Sequence, residues 1–237
     1  MSIVAALPIR GLADGKSRLR HLLPDRWRHA VILALLARVA RAVLASGAVD
    51  RLVVISPDAV VLAWVERLGL GIITLRQTNT GLNAGLWAAT NWARAHDATM
   101  FLALNADLPS VTPESIRALV TSASTSPAVV VASDRHRRGT NALLVQPPGA
   151  ASFRFGEQSF ARHMDEGAAR GLTTIALHDP ALAFDLDTPA DLLALLCRSP
   201  LAFAALWRDA ARLMPTVSML ARGAATTTVP SPSEAHR

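Results

Sequence analysis

Ile3-Val4-Ala5-Ala6-Leu7-Pro8 opens the chain, and the polar loop Gly11-Leu12-Ala13-Asp14-Gly15-Lys16-Ser17-Arg18-Leu19 follows it directly. A helix-length apolar segment, Asp25 to Ser46, comes next, and then a second short run, Arg51-Leu52-Val53-Val54-Ile55-Ser56. Short apolar runs bounded by turn residues predict buried strands, and the longer segment between them predicts a helix. The same rhythm predicts strands at Gly71–Leu75, Thr99–Leu104 and Ala128–Ala132, with helices over Asp58–Leu68, Gly81–His96 and Pro113–Ser122. Thr112 followed by Pro113 is a good helix start. Repeated strand–helix–strand units imply an open, mostly parallel α/β sheet with helices on both faces.

The second half completes that sheet without a clear boundary. Asn141–Gln146 reads as a strand, Pro147–Phe155 as an irregular connection and Gln158–Arg170 as a helix. Leu172–Leu177 is a further strand, and Asp187-Thr188-Pro189 opens a helix running to Leu196. Residues 1–200 are expected to form one domain. A C-terminal amphipathic helix is expected over 201–223; it covers either the chain's own core or a second copy in a homodimer. The Thr-, Ser- and Pro-rich end, 224–237, is expected to be disordered.

Composition narrows the partners. Of 24 Lys and Arg residues only Lys16 is a lysine, the net charge is +6 and aromatics make up 5%. The arginines are scattered and no basic run is interleaved with aromatics, which speaks against nucleic acid and suits small anionic ligands. Cys197 is the one cysteine, so there is no disulfide framework, and its setting after Leu195-Leu196 predicts a buried small hydrophobe. The apolar stretch Ala30 to Val49 is broken by Arg38 and Arg41, which predicts an amphipathic helix and no membrane span. No signal peptide is evident, so the expected location is cytoplasmic.

In such a sheet ligands bind beyond the carboxyl ends of the strands. After the first strand come Arg10, Lys16 and Arg18, a cradle for phosphate oxygens. The competing reading is an exposed basic loop. Asn79-Thr80-Gly81-Leu82-Asn83 follows the third strand, and Asn105-Ala106-Asp107-Leu108-Pro109 the fourth. Asp185 and Asp187 follow a later apolar stretch. Carboxylates at buried strand ends suit Mg²⁺, which takes one or two of them plus phosphates and waters. A helix-cap role competes for Asp187 and a turn role for Asp107. Gly139-Thr140-Asn141 and the helix start near Gly156 and Ser159 could hold a small phosphate. His163, one turn further on, reads as a structural histidine.

These segments together resemble the 2-phospholactate/phosphoenolpyruvate guanylyltransferase family of coenzyme F420 biosynthesis. The matching stretches are Leu7-Pro8-Ile9-Arg10 with Gly15-Lys16-Ser17-Arg18-Leu19, Gly81-Leu82-Asn83 and Ala106-Asp107-Leu108-Pro109. Gly139-Thr140-Asn141, Phe155-Gly156 with Ser159-Phe160, and Asp185-Leu186-Asp187-Thr188-Pro189 continue in the family's order. Arg10 stands where the family commonly has Lys, and His136-Arg137-Arg138 fills a stretch often richer in Gly. The resemblance implies a nucleotide-diphospho-sugar transferase-like (Rossmann-like) fold. It further implies transfer of GMP from GTP, with Mg²⁺, to 2-phospho-L-lactate, phosphoenolpyruvate or 3-phospho-D-glycerate, with release of pyrophosphate. On that resemblance Lys16, Arg18 and Asp107 are catalytic, and Arg10, Lys16, Gly81 and Asn83 bind the nucleotide. Thr140, Gly156 and Ser159 bind the acceptor; Asp107 with Asp185 or Asp187 holds the metal. The rival readings are another nucleotidyltransferase of the same fold, of molybdenum-cofactor or sugar-phosphate type, and a non-catalytic nucleotide-binding regulator.

Overall fold

The computed structural model describes residues 1–225, with side chains described to residue 220. Seven strands form one sheet: β1 (Ile3–Pro8), β2 (Arg51–Ser56), β3 (Ile73–Arg76), β4 (Met100–Leu104), β5 (Ala128–Ser133), β6 (Thr140–Gln146) and β7 (Thr173–Leu177). Their order across the sheet is β3-β2-β1-β4-β6-β5-β7. All pairings are parallel except those of β6, which runs antiparallel to both β4 and β5. Helices α1 (Asp25–Ser46), α2 (Ala59–Arg67), α3 (Leu82–Ala95), α4 (Pro113–Ser122) and α5 (Ser159–Ala169) connect the strands. A single turn, α6 (Pro180–Ala183), then α7 (Pro189–Arg198) and α8 (Pro200–Ala225), complete the described chain.

Side chains alternate across a strand, so a strand covered on both faces must be apolar at every position. β1 does this: Ile3, Ala5 and Leu7 enter the core beneath α1, α4, α7 and α8, whereas Val4 and Ala6 enter the core beneath α3 and α5. This is why these strands appear in the sequence as unbroken apolar runs.

Some expectations need correction. β3 begins at Ile73 because Gly71, at φ +68°, is left-handed and cannot extend a strand. Cys197 is exposed, because Leu192 and Leu195 fill the buried stripe of α7 and leave Cys197 on the outer side. α1 is not amphipathic in the usual sense. It is buried on nearly all sides because α8 lies along it, and Arg38 of α1 pairs with Asp209 of α8 at 3.3 Å. Among the described helices α1 alone is long and apolar enough to cross a membrane, yet 72% of its most apolar window is buried inside this fold. The apolar side of α8 is therefore used on the chain's own core. The helix extends through residues 224 and 225, where disorder was expected, and the rest of that expectation, 226–237, lies outside the described residues.

The topology also creates the crevice. The chain builds outward from β1 to β2 and β3, then returns to place β4 on the other side of β1. The segments leaving the carboxyl ends of β1 and β4 diverge at this switch point and leave room between them.

Candidate active site

A cleft of about 750 Å³ occupies that switch point, and Arg10, Lys16, Arg18, Gly81, Asp107 and Asp187 all line it. Lys16 is at its centre. Its Nζ donates to Asp107 Oδ2 and to Asp187 Oδ1, each at 2.6 Å, and its side chain is only 8% exposed. The residue has φ +52°, a left-handed conformation that a non-glycine residue adopts only where its surroundings enforce it. Burial works against the ammonium, but the two carboxylates outweigh it and raise its pKa above the ordinary lysine value. The solvated-loop reading of Lys16 is thereby excluded.

Three backbone arrangements bring the acids together. Asp107 is in the turn that leaves β4. Its carbonyl accepts the Leu186 N–H at 3.1 Å, which ties the Asp185–Asp187 segment to the end of β4. The cap of α7 is Thr188, paired with Asp191 in a capping box, so the carboxylate of Asp187 is not spent on capping. Asp191 in turn accepts from the Asp187 and Thr188 amides and from Arg135, which also lies over the Phe184 ring.

The acids are not equivalent. Burial pushes the Asp107 carboxyl above its ordinary range, with Lys16 pulling it back and Asp187 pushing it further up. For Asp187, burial is outweighed by Lys16 and Arg18, and its pKa is lowered. Asp185 is raised to about 6 by burial and by the charges of Asp107 and Asp187. Asp107 Oδ1 is buried without a hydrogen-bond partner. Among the described residues no three His, Cys, Asp or Glu side chains form a ready-made metal cluster. Even so, an orphaned carboxylate oxygen beside a surplus of oxygen ligands fits a hard cation that completes its shell with phosphates and water.

The reversed direction of β6 places its first residue, Thr140, beside the end of β4. The Asn105 amide holds this junction, donating to the Thr140 carbonyl at 3.3 Å and to Asn141 Oδ1 at 3.1 Å. Thr140, Gly156 and Ser159 do not line the main cleft: Thr140 bonds His163 of α5, and the Ser159 N–H bonds the Gly156 carbonyl at 3.2 Å at the start of the same helix. Gly156 has φ +128°, a glycine conformation, and a Cβ there would meet open space. His163 Nε2 accepts the Arg154 N–H at 2.8 Å, so its proton is on Nδ1 and is donated to Thr140 Oγ1 at 2.9 Å. That leaves the hydroxyl proton of Thr140 free for another acceptor. Burial keeps this imidazole neutral, with its pKa lowered to about 4.

Of the nucleotide residues expected at the α3 start, Gly81 lines the cleft and Asn83 does not. The Asn83 side chain accepts from the Phe155 N–H at 3.0 Å and donates to the Phe155 carbonyl at 3.1 Å, strapping the start of α3 to the segment before Gly156. The sequence also gave no sign of Gln77. Its amide holds the turn before α3 through the Asn79 and Gly81 carbonyls at 2.6 and 2.8 Å, and it lines the cleft.

Comparison with known proteins identifies the fold and the family. The fold is shared with a candidate nucleotide-diphospho-sugar transferase from Desulfovibrio desulfuricans (TM-score 0.70, 14% identity, 92% of this chain and 99% of that one). It is also shared with a nucleotidyl transferase from Methanothermobacter (TM-score 0.58, 17% identity, 83% and 96%). In sequence the chain is 41% identical over 192 residues to the phosphoenolpyruvate guanylyltransferase of Rubrobacter xylanophilus, covering 81% of this chain and 92% of that protein. It is 40% identical over 200 residues to that of Sphaerobacter thermophilus, covering 84% and 95%. The CofC-like guanylyl transferase family matches residues 3–200, a span that holds every residue of the cleft described above. The chain is a nucleotidyltransferase and belongs to the CofC-like guanylyl transferase family of coenzyme F420 biosynthesis.

Proposed function

We propose that this enzyme joins the α-phosphate of GTP to the phosphate of a small phosphorylated carboxylic acid. Phosphoenolpyruvate is the acceptor that the relatives' names support, ahead of 2-phospho-L-lactate and 3-phospho-D-glycerate. One observation carries the reading: a single buried lysine bridges two carboxylates at the switch point of the sheet. An acceptor phosphate oxygen attacks the α-phosphorus in line, a new P–O bond forms, and the bond to the β-phosphate oxygen breaks to release pyrophosphate. No general base is required, since the attacking oxygen is already ionised near neutral pH.

The work of the protein is positioning and charge neutralisation. Lys16, Arg18 and Arg10 neutralise the triphosphate and the departing pyrophosphate. The turn at Gly81 faces the guanosine. Thr140, Gly156 and Ser159 receive the acceptor, the Thr140 hydroxyl donating to its phosphate. Asp107, with Asp187 or Asp185, would hold Mg²⁺, which when bound supplies further neutralisation of phosphate charge. We read the partners as small molecules in the cytoplasm, with no nucleic acid or membrane among them. Should the enzyme pair with a second copy, Leu193, Leu196 and Leu201 are among the exposed apolar side chains that would meet it.

A nucleotide and acceptor screen tests this reading. Pyrophosphate release is expected from GTP with phosphoenolpyruvate and far less from ATP, CTP or UTP. Release from GTP with none of the three acids would refute it in favour of another acceptor class. GTP binding without any release would mark a nucleotide-binding regulator.

A further inference from the structure

We infer that Arg28 is the positioning residue of the nucleotide site, a clamp that turns the N–H groups of Ala13, Asp14 and Lys16, and with them the Lys16 side chain, toward the triphosphate. Arg28 is in the first turns of α1 and is 1% exposed. Its Nη1 donates to the carbonyls of Leu12 at 3.1 Å and Ala13 at 3.2 Å and makes a shorter bond to that of Gly15. Its Nη2 pairs with Asp25 at 2.7 Å.

Stability alone does not explain an arginine here. Its single carboxylate partner is 70% exposed, and its Nε is buried without a partner. A guanidinium buried on these terms is unfavourable compared with an apolar side chain of similar volume. What an apolar side chain cannot do is collect carbonyl oxygens.

In a planar trans peptide the carbonyl and the following N–H point in opposite directions. Gathering the carbonyls of Leu12, Ala13 and Gly15 on one guanidinium therefore turns the N–H groups of Ala13, Asp14 and Lys16 away from it. Asp14, Gly15 and Lys16 line the cleft. The loop is fixed from its other side as well: Asp58 Oδ2 accepts the Leu12 N–H at 3.0 Å, and the Gly15 N–H bonds the Gly11 carbonyl at 3.0 Å. A Cβ on Gly15 would come within 2.7 Å of Ile32, so the loop is pressed against α1 at the same place. Successive amides around a left-handed residue such as Lys16 form a concavity for anions. Arg28 thus acts on GTP through the loop without touching it.

This inference rests on the triphosphate reading above, and the experiment separates the two. Arg28→Met, which keeps length and removes every donor, and Arg28→Lys, which keeps the charge but not the fork, are compared with the wild type as full chains. In Arg28→Met the KM for GTP is expected to rise about tenfold or more, while the acceptor KM at saturating GTP stays within about twofold. Arg28→Lys falls between. Hydrogen exchange at the amides of 12–18 is expected to accelerate while β1 and β4 stay protected. Unchanged exchange in the loop, a wild-type KM for GTP in folded Arg28→Met, or equal losses for both substrates would each overturn the clamp. If Arg28→Met does not fold, Arg28→Lys carries the same comparison. A wild-type enzyme that releases no pyrophosphate from GTP would refute the function instead, and the exchange result then decides the clamp alone.

Discussion

Asp107→Asn is expected to lower pyrophosphate release by about a thousandfold while the melting temperature stays the same or rises. The two outcomes have a common cause. Asp107 is half-buried, with its Oδ1 enclosed, and lies near Asp187; desolvation and that like charge both favour its neutral form, with Lys16 alone holding the charge in place. An amide of the same shape removes the charge that is unfavourable to bury and leaves Lys16 paired with Asp187. It also removes the carboxylate whose free oxygen is offered to a cation and to the reacting phosphates. Activity and stability therefore separate. A variant that keeps its turnover would take Asp107 out of the chemistry, and one that unfolds would make it a structural residue.

Lys16→Met is expected to lose both. Turnover should fall by about a hundredfold or more, because the group that neutralises the triphosphate and the leaving pyrophosphate is gone. Stability should fall by about 2–3 kcal/mol, the size expected when one partner of a buried pair is removed, reduced because Asp187 is 44% exposed and partly screened by water. The sign of the pH dependence follows from the two shifts. The Lys16 pKa lies above its unfolded value of 10.5, so its contribution is complete at neutral pH and is lost only as pH rises through the folded value. The Asp187 pKa lies below its unfolded value of 3.8, so its contribution is present above 3.8 and is lost as pH falls through the folded value. Lys16 also holds down the raised carboxyls of Asp107 and of Asp185, the latter at about 6, so the stability difference between wild type and Lys16→Met should be largest above that range and shrink as pH falls through it into acid. Calorimetry across that range checks it; a gap that widens in acid would contradict the pairing.

How much of this could be read from the sequence depends on how local the signal was. β2, α1 and α4 match their expected limits residue for residue, because an unbroken apolar run or a Thr–Pro start is a property of neighbouring residues. The direction of β6 was not readable. Its apolar pattern is the same whether it runs parallel or antiparallel, yet its reversal is what brings Thr140 beside Asn105. Lys16 and Asp107 were legible because they lie in the loops that leave buried strand ends, where charged residues are few and chemically distinct. Arg28 was not, since one arginine within a helix looks like a solvated charge until the loop carbonyls on it are located. Asn83 was legible as a motif member, but its partner was not, because only the fold brings it to Phe155, 72 residues away. Cys197 illustrates the same limit: its apolar neighbours surround it in sequence, while helical periodicity turns it outward.

The most direct test of the account is phosphorus NMR of wild-type enzyme turning over GTP with phosphoenolpyruvate and Mg²⁺. Attack of the acceptor phosphate on the α-phosphorus predicts free pyrophosphate together with an equal amount of a product holding two mutually coupled phosphorus nuclei, one from GMP and one from the acceptor. GDP with inorganic phosphate, or GMP with no coupled product, would contradict it.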